Sequence, residues 1–313
     1  MNLTITHKKN HIVSLKDLSP QETMEIINRG VAYSNDEVEM GYQLKNQVIG
    51  IYFTKTSTRT RTSFSTAALR LGANIIAYGP NDLQINTGES IEDTVKVFSR
   101  MLDGLVIRTA GDPAVVRAFA NQNRMSIVNA MTADEHPTQA LADLTTMKSH
   151  FGELSGLKIV YYGEGNNTTT ALALALAKIR NVEITFFTPP NYGIDPLLLK
   201  YAQNEGLKNN TVINEFHDVK SLDNDADIVY TTRWQTTGTQ KSDPNWRNVF
   251  EPFSVTQELM NKYHKAIFMH DLPAHRGDEV DTSVIDGVKS IVFDQAENKM
   301  HSAKAVLEWC MAG

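Results

Sequence analysis

Short apolar runs alternate with longer stretches of mixed character along almost the whole chain. In the first half this pattern predicts strands at 48–53, 74–78, 104–107 and 126–128. In the second half it predicts them at 158–162, 183–187, 211–213, 228–231, 266–269 and 290–293. Helices are expected between them, over 62–71, 90–101, 113–121, 137–151, 168–179, 195–204 and 295–311. Such alternation is the mark of parallel α/β architecture, and continuously apolar strands suit sheets covered on both faces. A long helix runs into Gly152-Glu153-Leu154-Ser155-Gly156, a Gly/Ser turn after which a new strand begins. The expected fold is α/β with two doubly wound parallel-sheet domains, residues 1–150 and 151–294, and a ligand cleft between them. The last helix, within 295–313, is expected to pack back on the first domain.

Composition narrows the function classes. A net charge of −6 and a pI near 5.9 argue against a broad basic face for nucleic acid, but not against a local cationic pocket. Cys310 is the only cysteine, so an intrachain disulfide and a cysteine metal cluster are excluded, which suits a reducing compartment. Residues 1–9 lack the basic-then-apolar layout of a signal peptide. The apolar run 171–177 is far short of the ~20 residues that span a bilayer. A soluble, cytoplasmic protein with neither membrane nor nucleic-acid partners is expected. His264, His275 and His301 have no metal-ligand spacing, so no metal is expected.

Three segments carry chemistry. Ser57-Thr58-Arg59-Thr60-Arg61 follows the strand 48–53 and precedes a helix. Backbone N–H groups, the positive end of a helix dipole, hydroxyls and two guanidinium groups converge there, as a phosphate dianion requires. It is not a Walker loop, because Gly-x-x-x-x-Gly-Lys is absent. His136-Pro137-Thr138-Gln139 opens the helix 137–151, with Pro137 fixing the helix start. Imidazole and amide side by side suit an amide-like substrate: His136 can donate to a carbonyl oxygen and Gln139 can accept from an NH2. Arg108 ends the strand Leu105-Val106-Ile107, where open α/β sheets place ligands.

Together these segments resemble the aspartate/ornithine transcarbamylase family, overall closest to its ornithine enzymes. The resemblance extends through Gly163-Glu164-Gly165-Asn166-Asn167, His270-Asp271-Leu272-Pro273-Ala274 and Asp294-Gln295-Ala296-Glu297-Asn298. It implies a carbamoyltransferase that needs no metal or organic cofactor, with carbamoyl phosphate bound by the first domain and an acceptor amine by the second. Ser57, Thr58, Arg59 and Thr60 would hold phosphate. Thr60, Arg108 and His136 would polarise the carbonyl, and Gln139 with the Leu272 carbonyl would accept from the carbamoyl NH2. Gln84 resembles the residue this family inserts into a neighbouring subunit's site, which implies a homotrimer or a multiple of one.

The chain departs from the family pattern where the acceptor binds. Ornithine enzymes carry Asp-x-Trp-x-Ser-Met-Gly where this chain has Thr232-Arg233-Trp234-Gln235-Thr236-Thr237-Gly238. Their His-Cys-Leu-Pro becomes His270-Asp271-Leu272-Pro273, and Lys299 replaces a common phosphate-side arginine, losing a bidentate fork. Thr232-Arg233-x-Gln235 instead resembles the Thr-Arg-x-Gln of aspartate enzymes. The expectation is an acceptor other than ornithine, with Arg233 reading a carboxylate, Asp271 an ammonium, and Asn167 the α-carboxylate or amine. Thr232, Gln235, Thr236 and Thr237 would complete that wall. The alternatives are an ornithine enzyme with a drifted loop and a non-catalytic relative that keeps the phosphate pocket. A dinucleotide-binding oxidoreductase fits poorly, because Thr168 replaces the third glycine of Gly-x-Gly-x-x-Gly.

Overall fold

The computed structural model describes residues 10–219, 225–236 and 239–312. Two parallel sheets organise them. The first holds β1 (Val48–Phe53), β2 (Asn74–Tyr78), β3 (Gly104–Arg108) and β4 (Ser126–Met131), in the order β2-β1-β3-β4. The second holds β5 (Lys158–Tyr162), β6 (Glu183–Phe187), β7 (Val212–Phe216), β8 (Ile228–Thr231) and β9 (Ile267–His270), in the order β7-β6-β5-β8-β9. The helices of the first half are α1 (Pro20–Ser34), α2 (Arg59–Arg70), α3 (Ile91–Phe98), α4 (Pro113–Ala120) and α5 (Pro137–Phe151). Those of the second are α6 (Asn167–Leu176), α7 (Pro196–Lys208), α8 (Trp246–Phe250), α9 (Gln257–Lys262), α10 (Thr282–Ile285) and α11 (Val292–Met311).

In each sheet the strand order reverses direction once, between β1 and β3 and between β5 and β8. Loops leaving the carboxyl ends of strands on either side of such a reversal diverge and open a crevice. The two crevices meet in one cleft. Helices α5 and α6 pack against each other between the sheets. One apolar core therefore runs from Ile49, Ile51 and Val106 of the first sheet to Ile159, Tyr161 and Ile184 of the second. Helix α11 crosses to pack on α1, α2 and α5, where Glu308 accepts from Arg29 Nε and Nη2 (2.7 and 2.6 Å) and from the Tyr33 hydroxyl (2.7 Å).

The expected strand at 290–293 does not form. Ser290 makes a single bridge to Phe268, and α11 starts at Val292. Val292 is buried but Phe293 is exposed, the exposure of a helix start rather than of a strand covered on both faces. The edge strands also differ from expectation: Ile76 on β2 and Val212 and Phe216 on β7 are exposed. Helix α1 went unpredicted although its signature is local. Ser19 Oγ accepts from Glu22 N (3.1 Å), Glu22 Oε2 accepts from Ser19 N (2.8 Å), and Pro20 occupies the first turn. Among the described residues no helix is long and apolar enough to cross a membrane.

Candidate active site

The cleft has a volume of about 240 Å³ and is built from the loops and helix starts beyond the carboxyl ends of β1, β3, β4, β5, β8 and β9. On the first-sheet side, Ser57, Thr58, Arg59 and Thr60 line it. The helix begins earlier than its apolar pattern indicates, so Arg59, Thr60 and Arg61 form the first turn of α2. Thr58, at the N-cap, makes no side-chain cap. The first-turn amides of α2 thus face the cleft without a capping oxygen, the arrangement that receives an anion. Burial lowers the Arg59 pKa, an effect opposed by nearby Asp271. Arg61 turns away: its guanidinium lies 5.5 Å from the Phe53 ring centroid and donates to the Tyr78 carbonyl (3.3 Å). Of the two motif arginines, only Arg59 lines the cleft.

Beside this turn three polar groups from three elements converge. Arg108 Nη1 lies 3.3 Å from Thr60 Oγ1 and 3.4 Å from His136 Nε2, and all three residues are buried. Burial pulls the Arg108 pKa down to about 10, against the opposing pull of Asp271. His136 is held well below its ordinary value, first by burial and then by Lys299 and Arg108, so its ring is neutral near pH 7. Thr138 Oγ1 lies 3.4 Å from His136 Nδ1, while Nε2 is the ring nitrogen that meets Arg108. Beneath, Glu135 accepts from Ser14 Oγ and Leu15 N (both 2.6 Å), and burial raises its pKa to about 7.

Gln139 is oriented from both ends. Its Nε2 donates to Asp143 Oδ1 (2.8 Å), and its Oε1 accepts from Lys299 Nζ. Asp143 also accepts from Gln295 Nε2 (2.7 Å) and the Tyr230 hydroxyl (2.9 Å), joining α5, β8 and α11 in one buried network. Burial raises the Asp143 pKa to about 6 and lowers that of Lys299 to about 8.

The opposite wall is built differently. Asn166 Oδ1 caps α6, accepting from Thr168 N (2.9 Å) and Thr169 N (3.3 Å), so this helix end is already satisfied by the chain. Asn167 Nδ2 donates to the Thr132 carbonyl (2.8 Å), tying the two sheets' loops together. Asp271 accepts from Thr232 Oγ1 (2.7 Å) and from Thr168 Oγ1 (3.1 Å). Leu272 has a φ of +54° and donates its N–H to His270 Nδ1 (2.8 Å). That puts the ring hydrogen on Nε2, directed at Glu279 (3.1 Å), and holds the Leu272 segment against the cleft.

Residues 10–149 match the family profile described as aspartate/ornithine carbamoyltransferase, carbamoyl-P binding domain, and residues 155–310 its Asp/Orn binding domain. The chain belongs to the aspartate/ornithine carbamoyltransferase family. Over 307 residues it is 38% identical to an ornithine carbamoyltransferase of Caldicellulosiruptor saccharolyticus, covering 97% of this chain and 99% of that one. It is 40% identical over 270 residues to that of Oceanobacillus iheyensis, covering 86% and 83%. The solved ornithine carbamoyltransferase of Pyrococcus furiosus superimposes with a TM-score of 0.90 at 33% identity, over 99% of both chains.

Most of the residues singled out in the sequence share the cleft. Ser57, Thr58, Arg59, Thr60, Arg108, His136, Gln139, Asn167, Thr232, Arg233, Thr236, Asp271, Leu272 and Lys299 all line it. Gln235 does not; its carbonyl accepts from Arg233 Nε (2.6 Å) and its Nε2 donates to the Thr239 carbonyl (2.7 Å), shaping the loop instead. Gln84 begins an exposed 3-10 turn, Gln84–Thr87, and Thr237 lies outside the described residues. Arg276, two residues beyond Ala274, pairs with Asp286 (2.6 and 2.8 Å) and does not line the cleft.

Two residues that sequence reasoning missed anchor this opposite wall of the cleft. Glu164 Oε2 accepts from Thr236 Oγ1 (3.1 Å), and its Oε1 from Lys241 Nζ. The Lys241 ammonium lies 4.6, 5.3 and 4.9 Å from the ring centroids of Tyr192, Trp246 and Phe250. Cation–π attraction strengthens when the ion is desolvated, and only 5% of this side chain is exposed. Trp246 is thus one wall of a lysine cage. The local signal was a lysine five residues before a tryptophan; that Glu164 would meet it is a matter of tertiary fold.

Proposed function

We infer that the chain transfers the carbamoyl group of carbamoyl phosphate to a primary amine of an amino acid, releasing phosphate and a ureido product. One observation carries this reading: Thr60, Arg108 and His136 meet within 3.4 Å at the uncapped start of α2. The first turn of α2, with Ser57, Thr58 and Arg59, receives the phosphate. Thr60, Arg108 and His136 then face the carbonyl oxygen, and the Leu272 carbonyl with Gln139 Oε1 accepts from the carbamoyl NH2. As the amine attacks, negative charge grows on that oxygen where preorganised donors already point. Collapse of the tetrahedral intermediate expels phosphate onto the helix terminus that held it.

Ornithine is the first acceptor to test, because the relatives that match over most of the chain bear its name. The reading of another acceptor rests on Thr232, Arg233, Thr236 and Asp271 alone. Three arginines and a lysine (Arg59, Arg108, Arg233 and Lys299) line the cleft, so an acceptor with a second carboxylate has charge partners there. Domain limits at 1–150, 151–294 and 295–313, and a homotrimer in which Gln84 reaches a neighbouring copy's site, belong to the same proposal; sedimentation of Gln84→Ala beside the wild type tests the assembly. Steady-state assays with carbamoyl phosphate and ornithine, lysine, aspartate and 1,4-diaminobutane test the acceptor. Saturable ureido product from ornithine is expected. Phosphate release with no ureido product from any of the four would overturn the transfer reading.

A further inference from the structure

Among the described residues lining the cleft, Asp271 is the one carboxylate, set against Arg59, Arg108, Arg233 and Lys299. Among the described residues no salt bridge joins it to Arg59, Arg108 or Lys299, and His270 Nδ1, 3.6 Å from its Oδ1, is an acceptor taken by the Leu272 N–H. Its two oxygens are instead held by hydroxyls, Oδ1 by Thr232 and Oδ2 by Thr168. Each hydroxyl occupies one acceptor position and leaves the other open. Asp271 directly precedes Leu272, whose segment forms the same rim of the cleft, and its charge is felt by Arg59, Arg108 and Lys299 on the far wall. The carboxylate therefore lines the same cleft as those cations and is within their electrostatic reach.

An amino acid acceptor reaches the enzyme with its attacking nitrogen protonated. An alkylammonium of pKa ~10.4 leaves only a few neutral molecules in ~10⁴ at pH 7. A cleft rich in guanidinium groups repels that ammonium everywhere except at the one carboxylate. We propose that Asp271 binds the reacting amine itself as its ammonium and accepts its proton during attack on the carbonyl carbon. This rests on the carbamoyl-transfer reading above.

The step balances. The proton moves from R–NH3+ to an Asp271 oxygen, and the freed lone pair forms the N–C bond. The C=O π pair moves to the oxygen facing Thr60, Arg108 and His136. That pair then re-forms C=O while the C–O bond to phosphorus breaks, its electrons leaving on phosphate. The second N–H proton goes to the departing phosphate, and Asp271 returns its own proton to water.

The test compares ornithine with its aminooxy analogue, whose nucleophilic nitrogen is neutral at pH 7 while its α-ammonium and carboxylate are unchanged. Asp271→Asn keeps the shape and the two hydroxyl contacts but can neither attract an ammonium nor take its proton. With ornithine, kcat/KM is expected to fall ~10²-fold or more, and with the aminooxy analogue less than about fivefold. The KM for carbamoyl phosphate should stay within about twofold of wild type, which also reports an intact fold. Asp271→Glu, which keeps the charge, should restore ornithine use at least tenfold over Asp271→Asn.

Equal losses with both nucleophiles would overturn the proposal, placing Asp271 on the α-ammonium or in a purely structural role. A loss appearing only in the carbamoyl phosphate KM would overturn it too. A wild type that makes no ureido product from either nucleophile would overturn the ornithine reading, and the inference with it.

Discussion

The two walls of the cleft use the same local device to opposite ends. Both α2 and α6 follow a central strand and point their N-termini into the cleft. The start of α2 has no side-chain cap, whereas Asn166 closes the start of α6 at 2.9 and 3.3 Å. An open terminus is an anion site, and a capped one is a scaffold that offers its side chains. On the proposed reading, the first wall recognises phosphate largely through backbone and fixed charge. The second offers Thr168, Thr232, Thr236 and Asp271 to the cleft, all of which can be exchanged without rebuilding the helix. This explains how a donor site can stay constant while the acceptor wall departs from the family pattern.

The largest expected effect breaks the first wall. Arg108→Leu should lower kcat about 10³-fold, with the acceptor KM within about twofold, because the guanidinium is worth most when the carbonyl oxygen becomes anionic. His136→Ala should cost about 10²-fold in kcat in the same assay, less because a neutral ring carries no charge. Arg59→Ala should act on the ground state instead. Removing a charge-assisted bond of ~1.5–3 kcal/mol raises the carbamoyl phosphate KM roughly 10- to 150-fold, read from initial rates at saturating acceptor.

The second wall should respond in the other substrate. Glu164→Gln frees both Thr236 and the caged Lys241, so the acceptor KM should rise about tenfold while the carbamoyl phosphate KM holds. If both constants moved together, the walls would not be separable in this way.

The smallest effect is a pH limb. Burial brings Lys299 down to about 8, so it is cationic below that pH and neutral above. At saturating acceptor, kcat/KM for carbamoyl phosphate should therefore decline as pH rises through about 8, the free-enzyme value. Lys299→Arg should remove that limb, since a guanidinium stays charged throughout.

How much of this was legible in the sequence divides along the same line. Ser57–Thr60, Arg108 and His136 were readable because each lies within a residue or two of a strand end or helix start, so local pattern fixes its direction. Arg61 was not: one helical residue beyond Thr60, it rotates from the cleft onto Phe53 and Tyr78. The hydrogen bond from Thr232 to Asp271 joins positions 39 apart, and that from Thr236 to Glu164 joins positions 72 apart. No periodicity encodes such pairings; they exist only once β5, β8 and β9 lie side by side. The strand expected at 290–293 failed for a related reason, since an apolar pair at a helix start reads like a short buried strand.

The most direct measurement tracks both products at once. Wild-type protein is mixed with ¹³C-carbamoyl phosphate and ornithine and observed by ¹³C and ³¹P NMR, beside a buffer control. A ureido carbon and inorganic phosphate are expected in equal amounts at an enzyme-dependent rate, with the ureido rate falling about 10³-fold in Arg108→Leu. Enzyme-dependent phosphate without the ureido carbon, or a ureido rate untouched by Arg108→Leu, would contradict the transfer reading.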